Sequence, residues 1–356
     1  MISAAALPDA LAQTWPPFVL VLGLLLIGVL ASSDGLFEAL GSRLARSPGN
    51  RLSLFVSLMA LVALVTVVLN LDTSVVFLTP ILLHVARRRG VPEPAFLYGV
   101  VFMSNSASLL LPGSNLTNLL VLAPLHLSGG SFASHMFPSW IGSVVVTTVV
   151  LVVWRWRDFR GDDVRPGDVT PLRLGLGTIG VLFAITFVLL LANPALPVLA
   201  VAVVLGTVQI WRRRMTLEES LRVANPVTLL ALFVVAVGLG TLARTWSGPG
   251  QLLNAAGPWG SAWLGAGVSN LVNNLPAAVL LSSRTPQHPL ALLIGLDLGP
   301  NLVIIGALSA ILWLRVARSE GANPSVVTYS KVGLVLVPLT MSTALVALRF
   351  FVPHSF

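Results

Sequence analysis

Two acidic side chains, Asp72 and Asp297, lie within long apolar segments. Placing a carboxylate at the centre of a bilayer costs about 2.5–3.5 kcal/mol on insertion scales, so such an acid is a candidate functional group. Each aspartate is therefore predicted to carry a proton or to help bind a cation. The alternative is a protonated aspartate that caps a broken half-helix through backbone N–H groups.

Neutral polar residues interrupt the same segments. Lipid cannot satisfy the backbone groups of a broken helix, so such breaks persist where they line a wet cavity or bind a solute. The predicted solute-binding residues are Asn70, Thr73, Ser104, Asn105, Ser114, Asn115, Asn118, Asn270, Asn273 and Asn274. Other polar residues at these breaks are Ser106, Ser108, Thr117, Ser269, Asn301 and Ser309. The predicted helix-breaking residues are Gly113, Pro276, Gly299, Pro300 and Gly306. For any single serine or threonine, the alternative role is helix–helix hydrogen bonding.

Fixed positive charge is missing from the apolar segments, apart from Arg349 near the end of the last one. A neutral polyhydroxylated solute needs no fixed cation, whereas a dicarboxylate would need bound sodium or helix N-termini. The chain has no cysteine, and its histidines lack metal-ligand spacing: His84, His126, His135, His288 and His354. We therefore predict no metal site and no cofactor, and no nucleotide-binding motif is present.

An intramembrane protease is the enzyme class that two membrane aspartates could indicate. Intramembrane aspartyl proteases place a Pro-Ala-Leu motif after the second aspartate. Here Pro194-Ala195-Leu196 precedes Asp297. The chain is therefore predicted not to be an enzyme.

The composition excludes a soluble protein. Hydrophobic residues make up 56% and charged residues 10% of the 356 residues, whereas a soluble domain carries about a quarter charged residues. A spanning helix needs about 20 apolar residues. With that length the sequence predicts an all-α polytopic membrane protein with apolar segments at 17–33, 52–86, 95–125, 138–154, 174–191, 196–211, 226–242, 259–282, 290–314 and 332–351.

The distribution of basic residues predicts the topology. The net charge of +8 arises in short loops between apolar segments, a pattern of membrane topology and not of nucleic-acid binding. If 52–86 and 259–282 are re-entrant hairpins, every basic residue except Arg244, Arg284 and Arg349 lies on one side. By the positive-inside rule that side is cytoplasmic, which places the N-terminus outside, and we expect a bacterial inner membrane.

The interrupted segments form two matched sets. Asn70 aligns with Asn273, and the stretch from Ser104 aligns with the stretch from Asp297, which places Gly113 opposite Gly306. This predicts inverted repeats, each with one helix, a re-entrant hairpin, a broken helix and a last helix, as in secondary transporters. The predicted parts are residues 1–155, with a cytoplasmic-side hairpin, and residues 226–356, with an outside hairpin. Residues 156–225 hold two linking scaffold helices.

Four motifs resemble those of the arsenite efflux permeases, a family of the ion transporter superfamily. They are GLDLGPNLVIIGALSAILWLRV (295–316), SNLVNNLP (269–276), NSASLLLPGSNLTNLLV (105–121) and LDTSVVFLTPI (71–81). Relatives that move citrate, dicarboxylates, sulfate or sodium share such hairpins and broken helices, so the motifs are more specific to the superfamily than to arsenite.

The resemblance implies an elevator-type fold, often dimeric, and export of arsenite or antimonite in exchange for protons. By position it implies that the site is lined by Asn70, Asp72, Ser114, Asn115, Asn118, Asn270, Asn273, Asn274 and Asp297. This chain departs from the family at Asn301, where the arsenite permeases have lysine, and in having one helix before the first hairpin. Two alternatives remain open: a sodium-coupled carboxylate or inorganic anion transporter of the same superfamily, and an ion channel or non-transporting membrane scaffold.

Overall fold

The computed structural model describes residues 6–46, 50–125, 127–160, 175–246 and 248–352, and every regular element in these ranges is a helix. His126 and His354 of the sequence analysis lie outside the described residues. Five helices are long and apolar enough to cross a membrane, counted over the described ranges. The predicted all-α polytopic membrane fold is confirmed.

The first repeat contains seven α-helices. They are α1 (Ala6–Ser33), α2 (Leu36–Arg46), α3 (Arg51–Val68), α4 (Leu71–Arg88), α5 (Pro94–Ala107), α6 (Leu116–Leu122) and α7 (Gly129–Trp154). The sequence determines where several of these helices begin, because the side chains of Asn50, Asn70, Asn115 and Ser128 each accept a hydrogen bond from the first turn.

Three helices link the repeats: α8 (Leu176–Leu190), α9 (Ala195–Trp211) and α10 (Leu217–Ala224). The second repeat follows as α11 (Pro226–Thr245), α12 (Gly248–Ala255), α13 (Gly257–Val272), α14 (Asn274–Ser282), α15 (Pro289–Leu298), α16 (Leu308–Ser319) and α17 (Val326–Phe351). Each repeat therefore has one long helix, a short helix, a hairpin, a helix broken near its middle and a last long helix.

The two repeats pack in a reciprocal way. The first helices, α1 and α11, contact each other, and so do the last helices, α7 and α17. The second arm of each hairpin contacts the far half of the other repeat's broken helix, α4 against α16 and α14 against α6. This exchange places each hairpin against the broken helix of the other repeat.

The packing of two glycines shows which residues of the two broken helices are equivalent. A Cβ at Gly99 would lie 2.9 Å from Met59 Sδ on α3, and one at Gly295 would overlap the backbone of Ala262 on α13. Met59 and Ala262 are equally far along the chain from the hairpin tips, so Gly99 and Gly295 are equivalent. Asn105 is therefore equivalent to Asn301, and the alignment of Ser104 with Asp297 is three residues out of register in this half-helix. The shift arises because the chain from Asn105 to α6 is longer than the chain from Asn301 to α16.

A second group of helices surrounds α1, which contacts α8, α9 and α11. Asp34, just after α1, accepts hydrogen bonds from Gly177 N (2.7 Å) and Gln209 Nε2 (2.7 Å). Gly177 has no room for a Cβ against the backbone of Ala31, which is the close packing by small residues that membrane helices use.

Three helices begin earlier than predicted. The helices α1, α7 and α17 begin at Ala6, Gly129 and Val326, and not at residues 17, 138 and 332. Prolines lie inside α1 and α7, at Pro16, Pro17 and Pro138. Proline is tolerated in membrane helices because neighbouring groups satisfy the freed backbone, so it did not mark the start of either helix.

Candidate functional site

An asparagine forms the tip of each hairpin. Asn70 Oδ1 accepts a hydrogen bond from Thr73 N (2.7 Å) at the start of α4. Asn273 Oδ1 accepts one from Leu275 N (3.3 Å) at the start of α14, and Asn273 Nδ2 donates to Ile305 O (3.0 Å). Asn273 has φ of 81° and ψ of 150°, a backbone conformation outside the left-handed helical region that residues other than glycine rarely adopt.

The first broken helix is closed by its own polar side chains. After α5 a 3₁₀ turn at Pro112–Ser114 contains Gly113, and Asn115 then caps α6 by accepting from Thr117 N (3.2 Å). Asn118 Nδ2 donates to Ser108 O (2.8 Å) and Leu111 O (3.3 Å), and Ser114 Oγ donates to the same two carbonyl groups. These bonds satisfy backbone groups that lipid could not.

The second broken helix depends on hairpin and last-helix residues. Gly299 and Pro300 lie in a 3₁₀ turn that continues α15, so the direction changes only after Asn301. Asn270 Nδ2 donates to Gly299 O (2.9 Å), and Tyr329 Oη donates to Pro300 O (3.0 Å). A Cβ at Gly306 would lie 2.9 Å from Pro300 Cα and 3.0 Å from Asn270 Oδ1, so this turn requires glycine.

One predicted helix-breaking residue does not lie at a break. Pro276 lies in the first turn of α14, where its missing N–H is not needed. The hairpin reverses at Asn273 instead. Asn274 is buried at the start of α14, and Ser269 Oγ donates within α13 to Ala266 O (2.9 Å).

Asp297 is the centre of a buried polar cluster. Its side chain is 1% exposed. Oδ1 accepts hydrogen bonds from Asn115 Nδ2 (2.8 Å) and Thr117 Oγ1 (2.7 Å), and Oδ2 accepts one from Ser108 Oγ (3.3 Å). All three donors belong to the first repeat, and no basic side chain in the described ranges forms an ion pair with Asp297. All of its hydrogen-bond partners are therefore neutral groups.

The equivalent residues Asn105 and Asn301 meet beside this cluster. Asn105 Nδ2 donates to Asn301 Oδ1 (2.8 Å), and Asn105 Oδ1 accepts from Ser309 Oγ (3.1 Å). Ser108 Oγ also lies 2.8 Å from Asn105 O, to which its single hydroxyl proton can donate instead, and this contact joins the pair to Asp297. Residues of both breaks thus form one continuous hydrogen-bond network.

Several predicted residues lie outside this network. Asp72 is half-buried in the first turn of α4 and makes no hydrogen bond with any described residue. Thr73 faces α1, where a Cβ at Gly28 would lie 2.5 Å from Thr73 Cγ2. Ser104 Oγ donates to Val100 O (2.7 Å), and Ser106 Oγ pairs with Thr147 Oγ1 (2.7 Å).

Five buried polar atoms around the tips and breaks have no hydrogen-bond partner among the described residues. They are Asn70 Nδ2, Thr73 Oγ1, Asn118 Oδ1, Asn270 Oδ1 and Asn301 Nδ2. A buried polar group without a partner costs about 1–3 kcal/mol, so each such group needs an explanation. The set contains donors and acceptors, which suits a solute that does both.

Some residues that contribute to the site were not predictable from the sequence. Ser108 and Thr117 were noted at the break, but nothing in the sequence connected them to Asp297. Tyr329 lies in the first turns of α17 between Thr328, Ser330 and Lys331, so no sequence signal set it apart. No group of three or more candidate metal ligands occurs in the part of the chain that the structure describes.

Comparison with protein families gives two overlapping matches. Residues 2–300 match a family model described as a citrate transporter, and residues 250–352 match one described as an arsenical pump membrane protein.

Individual relatives span nearly the whole chain. An arsenical pump membrane protein of Escherichia coli K12 is 26% identical over 372 residues, covering 94% of this chain and 86% of the relative. One from Yersinia enterocolitica is 27% identical over 380 residues, covering 95% and 87%. An uncharacterized transporter of Mycobacterium tuberculosis is 25% identical over 376 residues, with the same coverage of 95% and 87%.

A solved structure has the same fold. The YdaH transporter of Alcanivorax borkumensis superposes with a TM-score of 0.62 at 14% identity, covering 99% of this chain and 88% of that protein.

Proposed function

Because the chain belongs to the ion transporter superfamily, in the group that includes the arsenical pump membrane proteins, we propose that it exports arsenite or antimonite in exchange for protons. That it is a multi-pass membrane transporter follows from family membership and its apolar helices. The solute, the coupling ion and the direction are the proposal. The supporting observation is Asp297, a buried carboxylate between the two breaks with neutral partners only.

The partners of Asp297 suit a group that gains and loses a proton. An ionised carboxylate accepts hydrogen bonds only, whereas a protonated one also donates. The hydroxyl groups of Ser108 and Thr117 can rotate and so change from donor to acceptor. The cluster can therefore satisfy both forms of Asp297 without moving the backbone. A fixed arginine or lysine would hold the carboxylate ionised, and none pairs with it among the described residues.

The unpartnered amide groups suit a neutral hydroxylated solute. Arsenite at neutral pH is As(OH)₃, whose hydroxyl groups donate and accept hydrogen bonds. Asn70 Nδ2 and Asn301 Nδ2 offer donors, while Asn118 Oδ1 and Asn270 Oδ1 offer acceptors. We propose that these four asparagines contribute to the solute site.

The helix contacts support an elevator movement. One group, α1 with α8, α9 and α11, would be the scaffold, and through α8 and α9 it would contact a second copy. The hairpins, the broken helices, α7 and α17 would move together against it. The membrane would be the bacterial inner membrane, with the N-terminus outside.

A sodium-coupled carboxylate transporter is the second candidate. The specific observation in its favour is that the citrate transporter model matches most of the chain, residues 2–300. Transport that depends on sodium and ignores a pH gradient would select this candidate.

Arsenite accumulation in an arsenite-sensitive bacterial strain tests the leading proposal. Cells that express the chain should accumulate less arsenite than cells with empty vector, and Asp297→Asn should abolish the difference. Asp9→Asn, at an exposed position, is the matched control and should behave as the native chain. Native and vector cells with equal accumulation, despite membrane expression, would exclude arsenite.

A further inference from the structure

A cavity of about 520 Å³ opens at the end of the bundle where α1 begins. It lies between α1, α6, the turn from α8 to α9 and the end of α14. The cavity extends to Pro112 at the first break, but it is not lined by Ser108, Asn115 or Thr117, which bind Asp297. The volume is within the range of about 300–1,000 Å³ that small-molecule sites occupy.

Two arginines give the lining of this cavity a positive charge. Arg244 and Arg284 line it, and no described lining residue is acidic. Arg244 donates to Gly240 O (2.9 Å) and Gln13 Oε1 (2.5 Å), which are both neutral, and Arg284 is exposed. The nearest acid, Asp9, is exposed, and only its backbone oxygen receives a bond from Arg244 (3.4 Å). The Asp9 carboxylate acts on Arg244 only through space, so an anion would find two guanidinium groups that form no salt bridge with any described residue.

The remaining lining sets the shape of a ligand. Pro16, Leu20, Leu119 and Leu191 form an apolar wall. Ser282 lines the cavity beside the arginines, is 1% exposed, and its hydroxyl has no hydrogen-bond partner among the described residues. A ligand that fits these surfaces has an anionic head and an apolar body.

We propose that this cavity, outside the central site, binds an amphipathic organic anion. The head contacts Arg244 and Arg284 and accepts a hydrogen bond from Ser282 Oγ, and the apolar body lies against the leucine and proline wall. A soluble carboxylate or sulfonate and an anionic lipid share this chemistry.

The position of the site gives binding a mechanical consequence. Arg244 belongs to α11, and Arg284 follows α14 of the second hairpin. Gln13 already joins these parts, because its Nε2 donates to Leu120 O (3.0 Å) and Ser282 O (3.3 Å). An anion that binds both arginines would connect α11 to the second hairpin. It would restrain their relative movement and so slow transport. This consequence rests on the function proposed above, whereas binding itself does not.

Binding of 1-octanesulfonate to the full chain in phosphatidylcholine nanodiscs tests the site directly. We expect saturable binding above that of empty nanodiscs, and none for the neutral analogue 1-octanol. Arg284→Gln and Arg244→Gln should each weaken the affinity about tenfold, as loss of one charge-assisted bond does. Arg212→Gln, exposed and outside the cavity lining, should bind as the native chain does.

Arg284 is the decisive position because it is exposed, so its replacement spares the packing that Arg244 supports. Absence of saturable binding, or equal affinity in native and Arg284→Gln chains, would overturn the proposal. Nanodiscs that contain phosphatidylglycerol identify the source of the ligand. Competition with octanesulfonate supports a lipid occupant, and unchanged affinity supports a soluble one. The measurement involves no transport, so its failure is independent of the transported solute.

Discussion

At the scale of single residues, the two membrane aspartates differ in their surroundings. Asp297 is buried and accepts three hydrogen bonds from Ser108, Asn115 and Thr117. Asp72 is half-buried, with no hydrogen-bond partner in the described ranges. Only Asp297 is surrounded by groups that can respond to its protonation, so it is the stronger candidate for coupling. Asp72 remains a candidate through its place beside the first hairpin tip.

Thr117→Val should slow arsenite efflux by about tenfold. The variant keeps the shape of the side chain but removes one of two bonds to Asp297 Oδ1, and a hydrogen bond to a charged group contributes about 1.5–3 kcal/mol. Thr148→Val is the matched control, since Thr148 Oγ1 bonds only within α7 to Val144 O (2.9 Å). Initial efflux rates from loaded cells measure the effect. Equal slowing in both variants would mean that the hydroxyl has no special role.

At the scale of elements, the broken helices depend on a few tight turns. The turn after α15 passes so close to Pro300 and Asn270 that Gly306 cannot carry a side chain without displacement. Asn270 also holds Gly299 O, so a shift here reaches the hairpin.

Gly306→Ala should abolish efflux while the protein still reaches the membrane. The added methyl group pushes the second break away from Asn270 and so separates the second hairpin from it. Gly267→Ala on α13 has open space at its Cβ and should be active. Efflux normalised to membrane expression gives the comparison. A fully active Gly306→Ala chain would show that the close turn has no part in transport.

Some elements were predictable from the sequence. Asn70 and Asn273 marked both hairpin tips because a polar residue within an apolar segment indicates a break, where backbone groups need polar partners that lipid cannot supply. The starts of α1 and α7 were not predictable, since proline ends soluble helices but not membrane ones. The contacts of Gln13 with other helices were therefore not predictable, since α1 was expected to begin at residue 17.

At the scale of the whole molecule, the reciprocal packing of the repeats creates the site. Asp297 and its donors are far apart in the chain and meet because α14 and α15 pack against α6. No sequence pattern pairs Asp297 with Thr117, since the contact depends on how one repeat inserts into the other. Sequence alignment also missed the equivalence of Asn105 and Asn301, which appears only in the packing of Gly99 and Gly295.

The topology can be tested directly because the chain has no cysteine. A single cysteine at Thr285, near the anion cavity, should react with an impermeant maleimide in intact cells. A cysteine at Arg214, beyond α9, should react only after permeabilisation. Both positions are exposed, so burial does not limit labelling. The opposite pattern would reverse the proposed orientation.

Asp297 is proposed to couple arsenite movement to protons. The most direct measurement is arsenite uptake into proteoliposomes with an acidic interior, for the native chain and for Asp297→Asn. We predict that the pH gradient drives arsenite accumulation by the native chain, and that Asp297→Asn still exchanges arsenite but ignores the gradient. Uptake by the native chain that does not respond to the gradient, or an undiminished response in Asp297→Asn, would contradict the account.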